Sequence, residues 1–426
     1  MKITAVGGYK AVGRNMTGVT VGNETIAIDN GIRLDTLQMY DGDTDRLRRY
    51  KTEELVNLDI IPRVDILGNV SSQLISHGHL DHVGALAITK PNAPIFGTPY
   101  TLEIGRKDYK NGDFHAVPYN QAIDVSRNMS AEFVEITHSI PQASIINVKT
   151  KEGDVVYAAD FRFDNKSAIA QPDYKKLKEI GSGNVKALIV ESTRVKEPGK
   201  TPSEEVVREK LDDVVEFIEE GLIIATTFST HIERVQAILD AAQKAGRIPL
   251  LLGRSLYTQA ELAERFGLLT IPPEAKTFAS GKAAKNGLKM IEKREDYLLI
   301  VTGHQGEPKS VLSRMITGEI PFKFKKEDSV LFCANTIPSP INVATRYAVE
   351  TKLQNLDVRI FKDLHVSGHA SKEDHRRLIR MLKPEHIIPC HGDMEMRSAY
   401  AVLAAEEGYD INKSVHLLNN ETSVGF

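Results

Sequence analysis

The sequence predicts an α/β protein in which one α/β domain interrupts another. Residues 2–190 contain mostly short strands, such as KITAVGG, ETIAID and ALIVES, with the alternation of apolar and polar residues that is typical of half-buried strands. From about residue 202, strands alternate with helices, which indicates a parallel sheet covered by helices. After residue 358, histidine-rich strand ends return in LHVSGHAS and HIIPCHGD. The middle of the chain is therefore expected to be an inserted domain.

The predicted domain boundaries follow these changes of pattern. Residues 1–192 and 365–426 are expected to form one domain, and residues 193–364 the inserted one. Further strands predicted in the first domain are GVTVG, QLISH, AEFVEIT, SIINVKT and DVVYAAD. The inserted domain is predicted to start with a helix opened by Thr201 and Pro202 and to continue with GLIIATTF, a helix from Ile232, IPLLLG, a helix near 257–266, YLLIVTG, a helix near 309–316 and SVLFCAN. The last predicted elements are VRIF, a helix from Lys372, HIIPCHGD and a helix from Met394.

Composition limits the classes of protein to which this chain can belong. With 426 residues, 41% hydrophobic and 26% charged, it is expected to pack into two or three globular domains. No apolar run approaches the roughly 20 residues that span a bilayer, and MKITAVGGYKAVGRNM has no secretory pattern, so a cytoplasmic protein without membrane contact is expected. Cys333 and Cys390 are too few for a thiolate cluster, so any metal must be bound by histidine and carboxylate. The net charge of −3 means that a polyanionic partner would need a local basic groove.

The segment SHGHLDHVGAL, residues 76–86, places three histidines and an aspartate within six positions. His77 and His79 are separated by one residue at a strand end and point the same way, while the turn into the next helix brings Asp81 and His82 round to face them. This geometry suits two metal ions side by side. His77 and His79 could bind one ion, and Asp81 with His82 the other, because Zn²⁺ favours imidazole nitrogen and carboxylate oxygen.

Each ion needs further ligands, and other predicted strand ends supply candidates. His138, Asp160 and His391 each follow a strand, and Asp160 is placed to bridge the two ions. An isolated His-x-His pair would more often be an ordinary surface feature, and Asp81 could simply cap a helix. The additional ligand types at strand ends favour a metal site over that interpretation.

The pattern H-x-H-x-D-H, followed by a lone histidine and a lone aspartate after strands, resembles the metallo-β-lactamase superfamily. The resemblance implies an αββα sandwich, and it makes Asp29 in TIAIDNG the aspartate that orients the ligands. Glu191 in IVESTRV, His369 in VSGHAS and His391 in PCHGD resemble the three signature positions of the β-CASP branch. That branch processes nucleic acids and carries an inserted domain, here with a parallel sheet, and a histidine at the third position resembles its RNA-specific members.

Longer phrases, GGYKAVGRNM, TTFSTHIERVQ, LLGRSL, TGHQGEPKSVLSRM and LHVSGHAS, resemble ribonuclease J over nearly the whole chain. Bacterial members continue for roughly a hundred residues beyond this point, so the resemblance is to the shorter archaeal type. It implies a metal-dependent, processive 5′ to 3′ exoribonuclease of RNA decay and processing, with two Zn²⁺ per chain or Mn²⁺ in their place. The implied substrate is single-stranded RNA with a 5′ monophosphate, and the expected assemblies are a homodimer and an RNA-decay complex.

The expected chemistry needs no protein nucleophile. Two ions roughly 3.5 to 4 Å apart can activate a water molecule and clamp a phosphate. Asp81 is expected to be one of the catalytic residues. The leaving 3′ oxygen needs a proton, for which His369 is the candidate, with Glu191 as the carboxylate that orients its ring and keeps it protonated. The alternative is that His369 only contacts the phosphate.

Several polar residues are candidates for contacts with the RNA backbone. His365 and Ser367 alternate with His369 along an extended segment, so all three are expected to face one side and grip the scissile phosphate. A strand end with solvated polar groups would have the same pattern. Arg254 and Arg314, next to the family-like phrases, are also expected to contact the backbone.

Hydroxyl groups in the inserted domain are candidates for a 5′ phosphate pocket. Ser229, Thr230 and Ser310 follow predicted strands, where hydroxyls and amides at helix N-termini can bind an anion. Simple N-capping would explain them as well. The lysines of residues 276–294 are expected to form a solvated face.

Two other functions stay open. An endonuclease of the same branch would have the same metal chemistry and would differ only in lacking a closed pocket for the 5′ end. A catalytically silent RNA-binding subunit would be expected to have lost metal ligands, and none is lost here. A lactamase or glyoxalase is disfavoured because the inserted domain, about 170 residues long, exceeds an ordinary connection and is interpreted as a substrate clamp.

Overall fold

A computed structural model describes residues 1–40, 44–337, 339–411 and 413–426. The chain divides into two compact units. Unit 1 comprises Met1–Asn165, Ala170–Thr201 and Gly368–Phe426, and unit 2 comprises Lys166–Ile169 and Pro202–Ser367. Within the described ranges, no helix is long and apolar enough to cross a bilayer. Strands and helices are numbered below in the order in which they occur along the chain.

The first sheet of unit 1 has seven strands. They are β1 (Lys2–Gly7), β2 (Met16–Val21), β3 (Glu24–Ile28), β4 (Val70–Ile75), β5 (Ile95–Gly97), β6 (Phe114–Ala116) and β19 (Thr422–Gly425), in the order β19-β1-β2-β3-β4-β5-β6. β1 pairs antiparallel with β19 and β2, and β2 pairs antiparallel with β3. The strands from β3 to β6 are parallel, so β3 and β4 end at the same edge of the sheet.

The second sheet of unit 1 has six strands. They are β7 (Ile123–Asp124), β8 (Met129–Glu135), β9 (Ser144–Thr150), β10 (Asp154–Ala158), β11 (Val185–Glu191) and β18 (His386–Cys390), in the order β18-β11-β10-β9-β8-β7. β10, β11 and β18 are parallel. β8 runs in the same direction, because β9 is antiparallel to both β8 and β10. The carboxyl ends of these four strands therefore lie at one edge.

Helices cover the outer sides of the two sheets. They are α1 (Leu34–Tyr40), α2 (Thr52–Asn57), α3 (Leu80–Val83), α4 (Leu86–Thr89), α5 (Pro99–Asp108), α6 (Tyr174–Gly181), α13 (Lys372–Leu382) and α14 (Met394–Glu406), with 3-10 turns at Thr44–Arg49 and Val64–Leu67. Side chains of both sheets, including Ile26 and Phe133, share one buried core. On the outer side of the second sheet, Leu177, Leu378 and Leu403 pack from α6, α13 and α14, while α5 packs on β5 and β6. This arrangement confirms the predicted αββα sandwich.

Unit 2 contains a six-stranded sheet in which all pairs are parallel. Its strands are β12 (Ile223–Thr226), β13 (Ile248–Leu252), β14 (Lys276–Phe278), β15 (Tyr297–Val301), β16 (Ser329–Phe332) and β17 (Arg359–Phe361), in the order β14-β13-β15-β12-β16-β17. Its helices are α7 (Glu204–Phe217), α8 (Ile232–Lys244), α9 (Arg254–Arg265), α10 (Gly281–Lys289), α11 (Val311–Ile316) and α12 (Pro340–Gln354), with a 3-10 turn at Arg294–Asp296. The predicted α/β insertion with a parallel sheet is confirmed.

The unit boundaries differ from those predicted at 192/193 and 364/365. The segment after β11 stays with unit 1 up to Thr201, because the Thr201 N–H donates to Asp374 at 2.8 Å and its hydroxyl to the carbonyl oxygen of His369 at 2.7 Å. On the other side, the carbonyl oxygen of Leu364 accepts from Arg234 of unit 2 at 2.9 Å. Unit 2 therefore extends to Ser367.

Two features of the helices also differ from the prediction. α7 begins at Glu204 with Ser203 as its N-cap, where the serine hydroxyl accepts from the Glu205 N–H, so Thr201 and Pro202 do not open it. Several helices were not predicted: residues 2–190 were expected to be mostly short strands but also contain α5 and α6, and α10 and α12 of unit 2 were missed.

Candidate active site

All seven predicted metal ligands follow the carboxyl ends of strands in unit 1. His77 and His79 follow β4, Asp81 and His82 lie in α3, and His138, Asp160 and His391 follow β8, β10 and β18. The strands that carry the last three run in one direction, so the sheet itself brings their ends together.

The seven residues form two overlapping groups. Within each group, all ligand atoms lie within 4.8 Å of one another, and the groups are His77, His79, His138 and Asp160, and Asp81, His82, Asp160 and His391. One oxygen of Asp160 lies 3.5 Å from Nε2 of both His77 and His138. Its other oxygen lies 3.4 Å from Nε2 of both His82 and His391. The structure thus brings together both sets that the sequence grouped, with Asp160 between them.

Hydrogen bonds determine which ring nitrogen faces the cluster. Oδ2 of Asp29 lies 2.6 Å from Nδ1 of His82, and the carbonyl oxygen of Gly368 lies 2.8 Å from Nδ1 of His138. A carboxylate and a carbonyl can only accept, so these Nδ1 atoms carry the ring protons. The Nε2 lone pairs are left to face the cluster, which is the arrangement that metal-binding histidines need.

Asp29 occupies the position expected of the orienting aspartate. It is fully buried, and it also accepts from the backbone N–H and the hydroxyl of Ser76, each at 2.8 Å. Its φ of 58° lies in the left-handed region, which aspartate adopts more readily than most residues. This local turn at the end of β3 aims the carboxylate at α3.

Burial and the two neighbouring carboxylates act in opposite directions on the pKa values inside the cluster. Burial lowers the pKa of His79 and His138 and so keeps their imidazoles neutral. Burial also lowers the pKa of His82, but the carboxylates of Asp160 and Asp29 outweigh it and raise the pKa overall. Burial would raise the pKa of Asp160, yet the surrounding histidines hold it well below its ordinary value. An ionised carboxylate thus lies among imidazoles and attracts positive charge.

Two buried atoms of the cluster fit a bound cation. Nε2 of His77 and Oδ1 of Asp160 have no hydrogen-bond partner in the part of the chain that the structure describes. Leaving a buried polar atom unpaired costs about 1–3 kcal/mol, which a coordinated cation would offset. The donor set of imidazole nitrogen and carboxylate oxygen suits Zn²⁺, and also Mn²⁺.

Glu191 and His369 form a pair beside the cluster. Glu191 is the last residue of β11 and is fully buried, and one of its oxygens lies 2.8 Å from Nδ1 of His369. Nε2 of His369 lies 3.9 Å from Asp160. Burial lowers the pKa of His369, but Glu191 and Asp160 outweigh it and raise that pKa to about 9. The imidazole is therefore held in its protonated form next to the two ligand groups.

Comparison with known proteins decides the family. The sequence model of the ribonuclease J β-CASP domain matches residues 220–349, and that of the Zn-dependent metallo-hydrolase RNA specificity domain matches residues 355–415. Ribonuclease J of Pyrococcus abyssi is 46% identical over 99% of this chain and 96% of its own length. Ribonuclease J of Methanocaldococcus jannaschii is 43% identical over 100% of this chain and 99% of its own length. The chain belongs to the ribonuclease J family.

Membership of the ribonuclease J family makes this chain a metal-dependent ribonuclease, as the motifs indicated. A bacterial relative, ribonuclease J2 of Bacillus subtilis, is 27% identical over 96% of this chain and 72% of its own length. A crystal structure of a protein of unknown function from Enterococcus faecalis V583 superposes with a TM-score of 0.67 at 17% identity, covering 99% of each chain. That likeness shows the shared fold alone.

Two residues of this ribonuclease J site were missed by the sequence reasoning. Oδ1 of Asn15 lies 2.8 Å from Nδ1 of His391, and so orients that ring. The hydroxyl of Thr193 donates to Glu191 and lies 3.0 Å from Nδ1 of His369. Thr193 had a weak signal in its position, two residues after Glu191 in the turn that follows β11. Asn15 had only its place in the phrase GGYKAVGRNM.

The predicted phosphate contacts His365 and Ser367 lie in unit 2, whereas His369 lies in unit 1. A guanidinium nitrogen of the fully buried Arg234 lies 3.4 Å from Nδ1 of His365. Arginine can only donate, so Nδ1 of His365 accepts and Nε2 carries the ring proton. Burial and the charge of Arg234 lower the pKa of His365, so the ring stays neutral and presents an N–H donor.

Of the three hydroxyls predicted at helix N-termini, only that of Ser310 lies at an N-cap. α8 begins at Ile232 with His231 as its N-cap residue, so Ser229 and Thr230 precede the cap and do not occupy it. Ser310 is the N-cap of α11, where it accepts from the Ser313 N–H at 3.3 Å. The interpretation of Ser310 as a helix cap therefore accounts for its hydroxyl.

The two predicted backbone-contacting arginines lie in unit 2. Arg254 is the exposed first residue of α9. Arg314, in the last turn of α11, donates to Glu319 at 3.0 Å. Neither belongs to the group of residues that forms the two ligand sets.

Proposed function

We propose that this ribonuclease J family member is a 5′ to 3′ exoribonuclease with two divalent cations per chain, Zn²⁺ by ligand type or Mn²⁺. The observation that carries the proposal is the pair of ligand groups that share Asp160, with the Glu191 and His369 pair beside them. Two adjacent groups of this kind are typical of enzymes that hydrolyse phosphodiesters.

The ligand roles follow from the two groups. His77, His79 and His138 would hold one cation, Asp81, His82 and His391 the other, and Asp160 would bridge them. When bound, the cations would supply an activated water at neutral pH and relieve charge on the phosphate oxygens. Asp81 is 17% exposed whereas Asp160 is 2% exposed, so Asp81 is the ligand carboxylate that reaches solvent. For this reason we assign Asp81 a part in positioning the attacking water.

His369 is proposed to protonate the leaving 3′ oxygen. Glu191 holds Nδ1 of the ring at 2.8 Å, which leaves the Nε2 proton to be donated. Burial raises the pKa of Glu191, but the charge of His369 outweighs it and lowers that pKa, so both members of the pair are ionised. General acid catalysis of this kind contributes about 10²–10⁴ in rate.

The proposed substrate is single-stranded RNA with a 5′ monophosphate. The proposed phosphate contacts are His365, Ser367, His369, Ser229, Thr230, Ser310, Arg254 and Arg314. The hydroxyls of Ser229 and Thr230 do not act as N-caps, whereas that of Ser310 does. Ser229 and Thr230 are therefore better candidates for phosphate contacts than Ser310. A homodimer, an RNA-decay complex and a cytoplasmic location complete the proposal.

The direction of cleavage is tested with RNA labelled separately at each end and carrying a 5′ monophosphate, triphosphate or hydroxyl. The proposal predicts that a 5′ label is released as mononucleotide from the first time points, and fastest from the monophosphate. Ser229→Ala should weaken that preference without lowering the melting temperature, whereas Ser310→Ala should cost about 0.5–2 kcal/mol of stability through loss of its cap. Internal fragments of mixed length that form regardless of a blocked 5′ end would favour the endonuclease instead.

A further inference from the structure

Unit 2 contains a cavity of about 370 Å³ that none of the predicted metal ligands or phosphate contacts lines. It lies between α10 and the two segments that lead into β15 and β16, so it is near the edge of the sheet at which these strands begin. The hydroxyls of Ser229 and Ser310, by contrast, follow the opposite ends of β12 and β15. The cavity is thus separate from the predicted phosphate pocket.

Lysines form the rim of this cavity. Lys282, Lys285 and Lys289 recur at intervals of three and four residues and so share one face of α10, and Lys323 adds a fourth charge from the segment before β16. These lysines are exposed, as predicted for a solvated face, and they also border a concave site. None of the four forms an ion pair with another described residue. Like charges at this spacing are mutually destabilising, so an anionic ligand would relieve a cost that the fold carries.

The floor of the cavity is apolar and held in place. Leu288, Ile291 and Phe322 line it. The guanidinium of Arg294 lies 5.1 Å from the centre of the Phe322 ring, donates to the carbonyl oxygen of Lys323 at 2.6 Å and pairs with Asp328. Arg294 therefore fixes the segment that carries both the aromatic ring and the fourth lysine.

We propose that this cavity is a second RNA-binding site, in which a base of single-stranded RNA packs on the apolar floor and the lysines contact its flanking phosphates. A cationic rim around an aromatic surface is the combination that binds single strands, and the volume is in the range of about 300–1,000 Å³ that holds small ligands. The inference rests on the proposed function only in taking RNA as the anion. The site strengthens the binding of RNAs long enough to reach it and takes no part in bond cleavage.

The test compares two triple variants of the full chain with equal changes in net charge. Lys282→Gln, Lys285→Gln and Lys289→Gln together remove the rim charges of α10. Lys107→Gln, Lys110→Gln and Lys151→Gln together form the control, because these lysines are exposed in unit 1. Binding of a long fluorescent single-stranded RNA is measured by anisotropy against salt, with a chelator present to stop hydrolysis. KM values for a long and a short RNA are compared with metal restored.

The proposal predicts a large and selective loss of affinity. With about 0.7 counterions released per phosphate contact, three lost contacts weaken binding roughly fiftyfold at 0.15 M salt and lower the salt slope by about 2. The control variant should bind like the parent, and the ratio of long-RNA to short-RNA KM should rise only in the rim variant. RNA carrying a photoreactive uridine should crosslink to Phe322 in the parent protein.

The proposal would be overturned if both triple variants lost the same RNA affinity or if neither lost any. Crosslinks that map outside the cavity would also overturn it. A parent protein that binds RNA through these lysines without hydrolysing it would support the second site and overturn the proposed function, so the two failures are distinguishable.

Discussion

Replacing Asp29 by asparagine tests how buried hydrogen bonds prepare the cluster for a cation. One oxygen of Asp29 accepts from the backbone N–H of Ser76, and the other accepts from the Ser76 hydroxyl and from Nδ1 of His82. In the asparagine variant, the side-chain oxygen must face the backbone N–H of Ser76, because that N–H can only donate a hydrogen bond. The amide NH₂ then faces His82, whose Nδ1 must become an acceptor. The ring proton moves to Nε2, the atom that faces Asp160 and would bind the cation.

Loss of an orienting contact of this kind typically costs 10–100-fold in metal affinity, or about 1.4–2.8 kcal/mol. Asp29→Asn should therefore need about 10–100-fold more free Zn²⁺ for half-maximal RNA hydrolysis. Nitrogen chemical shifts of His82 in the metal-free protein, measured above its raised pKa so that the ring is neutral, should report the changed tautomer. Asp154→Asn is the matched control. Asp154 is the first residue of β10, at the end of the strand away from Asp160, and its side chain accepts from Asn147 at 3.0 Å. A folded Asp29→Asn variant with an unchanged metal curve would refute the reasoning.

Three further outcomes are expected. Thr193→Val removes the hydroxyl that donates to Glu191 and should lower kcat about tenfold or more. Thr193→Ser keeps the hydroxyl and should retain the parent rate. Equal rates for the two variants would exclude a role of this hydroxyl in positioning Glu191. His79→Ala should abolish hydrolysis while leaving the melting temperature of the metal-free protein unchanged, because a half-buried loop residue contributes little core volume; unfolding would indicate a structural site. Burial lowers the pKa of His375 from 6.5 to about 4, so the unfolded chain takes up a proton first as the pH falls, and stability present above pH 6.5 is lost toward pH 4. Between pH 6.5 and pH 4, the free energy of unfolding measured in urea should fall less in His375→Leu than in the parent, by on the order of 3 kcal/mol. An identical fall in both proteins would contradict the lowered pKa of His375 in the folded state.

The ligand sets could be predicted because every member follows a recognisable strand. The pattern around His77 is local, and Asp160 and His391 each end a run of apolar residues long enough to be identified as a strand. Since the carboxyl ends of strands that run in one direction lie at the same edge of a sheet, the order of elements alone was sufficient to bring these residues together.

The contacts that orient the ligands could not be predicted in the same way. Asn15 and His391 are 376 positions apart, and nothing in either local pattern indicates that an amide oxygen meets that ring. The N-cap residues could not be predicted for a different reason. Ser229 and Ser310 occur in similar contexts, and a shift of two residues in the start of a helix decides whether a hydroxyl is a cap or is left for a ligand.

The two-cation site is tested most directly by measuring the metal content of purified, active protein by elemental analysis while RNA hydrolysis is followed. Two ligand groups that share Asp160 predict two equivalents of Zn²⁺ or Mn²⁺ per chain, with hydrolysis lost as a chelator removes them and regained when they are restored. Full activity in protein that holds less than one metal per chain would contradict this account.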